Sequence, residues 1–494
     1  MKFLFLLILL SSALMAQTNL EDVPYPFYDK QTGLLNEMTV INRGELALQK
    51  RIDLIRKATQ SIEVEYFIFK TDMSGKIIAR ELVEAAKRGV KVRILVDKLM
   101  AELTSYHAKE LDKHGIELKY YNTSFILKIS SIHYRNHRKL LVIDDSEAIT
   151  GGRNIGNDYY NLDRKYNYED RDVLIKGPIV KTMRESFDAY FSDKLAHKVS
   201  FPKLRRGPKG GHPSSRGGFD NEVHYKRWTK RAQNFLVETE EEIQVREQIA
   251  KVAAFQQLKL NTHICPETTF TTDAPGGGFI PAHSDGYLEK YRHVMKALDE
   301  KMATAREITI STPYFIANKR NKKLLDDLLE RDATVNLYTN SLKAADAIYM
   351  ATGFYMKLKG WLKKGMKVFL HDGTASEDEV ILQEARNSRW GTHAKTQVYE
   401  RENETEVMIG TYNMDNRSDY YNNEMVVFCK GNDDLSIEVK NDIMENARNG
   451  ITIDSDRHGT NRDGNRVNIL GTSNIHKLKM DLALIPTWLL EHLL

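Results

Sequence analysis

Two hydrophobic periodicities run along this chain, and they recur in the same order in its two halves. SIEVEYFIF (61–69) is rich in β-branched and aromatic residues, the pattern of a strand. GKIIARELVEAAKRG (75–89) repeats its apolar residues at helical spacing and closes on Gly89, and VKVRILVD (90–97) returns to strand. The second half repeats the series with REITISTPYFI (306–316) as strand, NKKLLDDLLERD (321–332) as helix and TVNLYTN (334–340) as strand. Asp97 and Asn340 end the third element in each series, and LLVID (140–144) and TQVYE (396–400) predict one further strand apiece. Strands alternating with amphipathic helices build mixed sheets flanked by helices. The expected class is therefore α/β, with two homologous lobes at 41–195 and 263–435. A pseudo-two-fold axis between them would bring the equivalent strands to one shared active site.

The remaining segments break this pattern. Residues 196–262 are expected as a basic linker plus a helix: from His197 to Arg231 there are ten Lys and Arg against Asp220 and Glu222, among many Gly and Pro. That stretch reads either as a solvated linker or as a contact for anionic headgroups, which attract basic clusters by roughly 1 kcal/mol per charge at a membrane surface. NFLVETEEEIQVREQIAKVAAFQQLKL (234–260) reads as one helix. Residues 436–494 form a C-terminal extension, with DSDRHGTNRDGNR (454–466) as a flexible link. Its end, KLKMDLALIPTWLLEHLL (477–494), either packs on a lobe or lies in a membrane interface as an amphipathic anchor.

The first sixteen residues, MKFLFLLILLSSALMA, have the layout of a signal peptide: Lys2, an apolar run from Phe3 to Leu10, then small residues. The run is short for a bilayer span. Export to the periplasm with peripheral attachment to the membrane is the expected location, and an uncleaved N-terminal anchor is the alternative. A hydrophobic share of 41% and a charged share of 28% suit a globular protein, and a net charge of +4 favours anionic partners, lipid or nucleic acid. Cys265 and Cys429 stand far apart, and the second, inside the apolar strand EMVVFCK, reads as a buried thiol; export permits a disulfide between them, but pairing is not the expectation.

One short arrangement, His-x-Lys-x4-acid, occurs twice: His137, Lys139 and Asp144, then His393, Lys395 and Glu400. Each is followed by a tag, GGRN ending at Asn154 and GTYN ending at Asn413. On a strand, His-x-Lys spacing sets both side chains on one face. Attack on a phosphodiester builds charge on its non-bridging oxygens, which two ammonium groups and two amides can hold. One imidazole can attack phosphorus while the other protonates the departing alkoxide. A lone histidine on an apolar strand is usually a core residue, but the doubled pattern argues for chemistry. Lysine is a poor zinc ligand and the usual His/Cys spacings are missing, so neither metal nor cofactor is expected.

These motifs resemble the phospholipase D superfamily and, within it, the bacterial cardiolipin synthases of the C type. The supporting strings include SIEVEYFIFKTDMSG, HRKLLVIDDSEAITGGRNIGNDYY, LYTNSLKAAD and GTYNMDNRS, spread over about residues 45 to 430. The resemblance implies a phosphatidyltransferase of the envelope that works through a phosphohistidine, with His137 as nucleophile and His393 as general acid. Phosphatidylglycerol and a second phospholipid, with phosphatidylethanolamine as a candidate, are the implied substrates. A phospholipase D hydrolase or a secreted phosphodiesterase or nuclease is the alternative, and nucleic acid is not the expected partner. Asp144 and Glu400 complete the motif, although the family's motif acid is structural. Glu400 departs from the family's Asp, and nine residues separate it from Gly410 against six between Asp144 and Gly151, which puts the second half's register in doubt. By the same resemblance, a carboxylate on a strand downstream of each histidine fixes its tautomer. Asp172 in RDVLIKGP and Glu424 in NEMVVFCK, each opening an apolar strand, are the expected pair. Ser418, in DNRS, is expected to line the same cleft.

Overall fold

The computed structural model describes residues 35–122, 134–204, 221–276, 290–316, 318–346, 348–375 and 381–468. The signal-like start, the core of the basic stretch (205–220) and the tail at 477–494 lie outside the described residues. Two mixed sheets dominate the fold, and seven consecutive strands of one correspond to seven of the other. In the first lobe they run Asn36–Ile41, Asp172–Lys176, Glu147–Gly151, Lys139–Ile143, Ser61–Tyr66, Lys91–Asp97 and Glu117–Tyr121. In the second they run Glu267–Thr272, Met425–Lys430, Thr405–Gly410, Thr396–Glu400, Glu307–Ser311, Thr334–Asn340 and Lys367–His371. The duplication legible in the hydrophobic pattern is thus a duplication of topology.

Local chemistry explains the elements. The helix Met73–Lys87 starts on Asp72, whose side chain accepts the Gly75 N–H, and it buries Ile77, Ile78, Leu82 and Val83 against the first sheet. Gly89 at φ +93° ends it, a conformation glycine adopts without a Cβ penalty. Ser61–Tyr66 is buried along its whole length, and its two acids are paired: Glu63 with Arg93, Glu65 with Arg138. A shared apolar core joins the lobes. Val40, Leu140 and Val173 of one sheet pack with Val398, Val407 and Val427 of the other, together with residues of the helices Ile179–Ser192 and Asp433–Asn449.

Several segments differ from expectation. Asp433–Asn449 crosses the boundary set at residue 435 and buries Leu435, Val439 and Ile443 in the interlobe core, so it belongs to the second lobe. The expected single helix over 234–260 is two, Asn221–Phe235 and Glu240–Gln257, because Thr239 adopts extended backbone and caps the second through the Glu242 N–H. The expected link at 454–466 folds as an extension of the second sheet. Gly459–Asn461 pairs with both Ile451–Ile453 and Arg466–Val467, around a turn with Gly464 at φ +79°.

The two cysteines are bonded to each other, against expectation. Thr262–Cys265 is an edge strand of the first sheet, paired with Asn36–Ile41, whereas Glu267–Thr272 pairs with Met425–Lys430 in the second. The chain changes sheets at Pro266, which brings Cys265 beside Cys429. The bond ties the edge strand of one sheet to the strand next to the edge of the other.

Candidate active site

Each His-x-Lys pair stands at the start of a hairpin strand, and all four side chains are buried. The longer turn of the second copy leaves the register at this end unchanged. Leu140 faces Thr150 and Thr396 faces Ile409, so the residue after each lysine faces the residue before each tag glycine. The three extra residues lengthen the hairpin by one pair, Glu400 facing Thr405, and its loop by one residue, 401–404 against 144–146.

Each histidine is docked on the opposite lobe. His137 donates its backbone N–H to the Asn423 carbonyl at 3.0 Å and its Nδ1 lies 2.9 Å from Glu424. His393 donates its N–H to the Glu169 carbonyl at 2.7 Å and its Nδ1 lies 2.7 Å from Asp170. An ionised carboxylate can only accept, so each favours the proton on Nδ1 and leaves Nε2 as the nitrogen without a carboxylate; at His393 the Lys395 Nζ lies 3.1 Å from Nε2 and 3.0 Å from Nδ1. The residue ahead of each histidine is held as well. Asp97 accepts the Asn136 N–H at 3.1 Å; Asn340 accepts the Thr392 N–H and donates to the Thr392 carbonyl, both at 2.8 Å. Neither lobe can build this site alone.

Glu424 therefore orients the histidine of the other motif copy, not the one that precedes it in sequence. Asp172 orients neither. Its carboxylate is held between Arg51 at 2.9 Å and Arg153 at 3.4 Å, in a fully buried ionic triad. The residue that does the work is Asp170, which sequence reasoning missed. Pairing shows the equivalence: Gly151 faces Asp172 and Gly410 faces Val426, so the residue two before Asp172 corresponds to Glu424. Counting back from the tag glycines, and not from the apolar run, would have found it.

The motif acids lie outside the site. Asp144 accepts the backbone N–H groups of Thr59, Gln60 and Ser61, which ties the hairpin turn to the start of the neighbouring strand. Burial opposes its charge, but those donors win and hold its carboxyl below the usual range. Glu400 binds Lys440 at 2.7 Å instead. Neither belongs among the catalytic groups, because both carboxylates are spent at the far ends of their strands.

The remaining expected residues do gather at the histidines. Lys139 and Lys395 each donate to the carbonyl of their own histidine at 2.6 Å. Asn154 accepts the Ile68 N–H through Oδ1 at 3.1 Å, and the Asn413 Oδ1 is buried without a hydrogen-bond partner among the described residues. Ser418 accepts the Asn413 N–H and donates to Glu424 at 2.7 Å, and Thr411 donates to Glu424 as well. On the other side, Asp170 takes the Arg171 N–H at 2.7 Å. Gly152 leaves room for that carboxylate, since a Cβ there would lie 2.0 Å from Asp170 Oδ1.

The electrostatics describe a site built for an anion. Burial, then Lys395, lower His393 to about 4 in spite of Asp170, and burial with Lys139 and Lys395 lowers His137 well below the ordinary value. Burial and mutual repulsion bring Lys139 to about 7, and burial brings Lys395 to about 8. Burial raises Glu424, whereas His393, Lys395 and Arg153 outweigh it at Asp170 and draw that carboxyl to about 2. A bound phosphodiester would offset the crowding of cations and favour protonation of both lysines and an imidazole.

Comparison with known proteins agrees with this geometry. A family profile described as "Cardiolipin synthase, PLD-like domain" matches residues 52–191 and 298–446, more than half of the chain. Cardiolipin synthase C of Escherichia coli (strain K12) is 26% identical over 401 residues, covering 77% of this chain and 78% of that protein. An uncharacterized protein of Helicobacter pylori (strain ATCC 700392 / 26695) is 26% identical over 405 residues, covering 78% of this chain and 75% of that one. Among solved structures, phosphatidylserine synthase of Haemophilus influenzae Rd KW20 superposes with a TM-score of 0.60 at 14% identity, over 97% of this chain and 99% of that one, a likeness of fold.

Proposed function

The chain belongs to the family of cardiolipin synthases with phospholipase D-like domains, and on that premise we propose that it is a phosphatidyltransferase of the cell envelope whose covalent intermediate forms on His137. As a cardiolipin synthase-like enzyme it acts on phospholipids. The finer assignment is transfer of a phosphatidyl group to the hydroxyl of phosphatidylglycerol, giving cardiolipin, with a second phospholipid such as phosphatidylethanolamine as donor. The crossed histidine–carboxylate pairs are the observation that carries the mechanism, because each holds a ring through Nδ1, and Lys139, Lys395 and His393 all act on the charge of His137.

In the first step the Nε2 lone pair of His137 forms a bond to phosphorus as the bond from phosphorus to the headgroup oxygen breaks. The leaving oxygen takes the Nε2 proton of His393. In the second step the acceptor hydroxyl attacks phosphorus, returns its proton to His393 Nε2, and the P–N bond breaks to restore His137. Lys139, Lys395, Asn154 and Asn413 hold the non-bridging oxygens, where each donor is worth on the order of 100-fold in turnover. The Cys265–Cys429 bond supports maturation in an oxidising compartment and so the reading of the first sixteen residues as an export signal.

The test is mass spectrometry of the lipids after incubating purified protein with labelled phosphatidylglycerol and phosphatidylethanolamine, beside a plasmid-nicking control. Cardiolipin carrying the label is expected. Phosphatidic acid alone would make the enzyme a hydrolase, and nicked plasmid without lipid turnover would make it a nuclease.

A further inference from the structure

The duplication separates what the two halves of the cleft share from what they do not. Phe69 and Phe315 each bridge to the residue after a tag asparagine, so Ile68 corresponds to Tyr314. Asn423 and Glu169 accept the two histidine N–H groups, so Asn422 corresponds to Tyr168. Counting on from Asn413 and Asn154, Ser418 corresponds to Tyr159; counting on from Asp97 and Asn340, Leu103 corresponds to Asp346. The positions that carry Ser418, Asn422, Ile68 and Leu103 on the His137 side therefore carry Tyr159, Tyr168, Tyr314 and Asp346 on the His393 side. A phosphate presents the same chemistry to both sides, whereas its two ester substituents differ. Residues that break the symmetry are placed to tell those substituents apart.

The His393 side forms a compact arrangement. Tyr168 lies 4.9 Å from the His393 ring and stacks on Tyr159 at 4.7 Å. Its hydroxyl and that of Tyr314 both donate to Asp346 at 2.8 Å. Asp346 is exposed and pairs with no lysine or arginine among the described residues. Burial of Lys395 is opposed in part by the charge of Asp346, which places that carboxylate within electrostatic reach of the site. A carboxylate beside aromatic rings is a receptor for an ammonium group, through a charge-assisted hydrogen bond and cation–π attraction.

We propose that Asp346, Tyr168 and Tyr314 form a subsite for the ammonium group of an amino-alcohol headgroup, on the side of the cleft where the leaving alcohol meets His393. This rests on the phosphatidyltransferase reading above, in which His137 attacks and the departing oxygen points toward His393. The subsite gives the donor lipid its identity and leaves phosphate chemistry to the shared residues.

The test compares full-length wild type, Asp346→Asn and Asp346→Glu on vesicles of phosphatidylethanolamine and of phosphatidylglycerol, measuring release of ethanolamine and glycerol. Bis(4-nitrophenyl) phosphate, which has no ammonium group, reports in parallel whether the histidines of each variant work. The ratio of kcat/KM for ethanolamine release over glycerol release is expected to fall about tenfold or more in Asp346→Asn, the loss of one charge-assisted contact, and to recover in part in Asp346→Glu. An unchanged ratio in Asp346→Asn, or a wild type that turns over the soluble diester and phosphatidylglycerol but not phosphatidylethanolamine, overturns the subsite. A wild type inert toward all three substrates would instead overturn the phosphatidyltransferase reading beneath it.

Discussion

Asp170→Asn and Asp172→Asn remove carboxylates two residues apart, and the structure assigns them different consequences. Asp170 accepts from His393 Nδ1 at 2.7 Å, and its carboxyl is drawn from an ordinary value of 3.8 to about 2. A folded-state value below the unfolded one means stability that is present above about pH 4 and lost as pH falls through about 2. The larger effect is on chemistry. An amide can present its N–H to Nδ1 and turn the imidazole to the wrong tautomer, and even without that a hydrogen bond to a charged group is worth about 1.5–3 kcal/mol, or roughly 10–100-fold in turnover. Asp172→Asn strips the common partner from Arg51 and Arg153, both buried, and breaking such a pair costs about 3–5 kcal/mol of stability. The assay is turnover of bis(4-nitrophenyl) phosphate per folded molecule, alongside urea unfolding. Asp170→Asn should be folded and nearly inactive, and Asp172→Asn less stable but active where it is folded. A fully active Asp170→Asn enzyme, or a stable and inactive Asp172→Asn one, would refute the assignment.

Two further expectations follow from the same structure. Because Lys139 at about 7 and Lys395 at about 8 must be protonated to hold an anion, kcat/KM should fall as pH rises from about 7 to 9, and a profile flat across that range would remove the lysines from phosphate binding. The Cys265–Cys429 bond closes a loop of 164 residues, which in the chain-entropy model stabilises the fold by about 5 kcal/mol, with 2–4 kcal/mol typical; Cys265→Ser should lower the urea midpoint accordingly, and an unchanged midpoint would mean that the bond contributes nothing.

What was legible in the sequence is what the chain writes locally. The strand–helix–strand series, the doubled His-x-Lys and the Gly-x-x-Asn tags each occupy short strings, so periodicity and spacing place them. The carboxylate that orients His393 was harder. YEDRD offers Glu169, Asp170 and Asp172 within four residues, and only the pairing of Gly151 with Asp172 selects among them. The exchange of carboxylates between lobes has no local signal, because it depends on a sheet-to-sheet packing that joins residues more than 200 positions apart. The disulfide has the same origin: Cys429 in an apolar strand reads as a buried thiol until the antiparallel pairing of Glu267–Thr272 with Met425–Lys430 brings Cys265 alongside. Glu400 shows a third kind of limit. Its motif spacing is preserved, but the second hairpin is one pair longer, so Glu400 stays on its strand facing Thr405 and binds Lys440, whereas Asp144 sits in the turn at φ +50° and caps its neighbour.

The proposed intermediate is a covalent phosphoenzyme on His137, with His393 as its proton donor. The most direct measurement is rapid acid-free quenching of the enzyme during turnover of a phospholipid labelled at phosphorus, followed by peptide mapping. An acid-labile, base-stable label is expected on the peptide that contains His137, and none in His137→Asn. Label on His393 would reverse the roles, and steady turnover without any phosphohistidine would contradict the covalent mechanism.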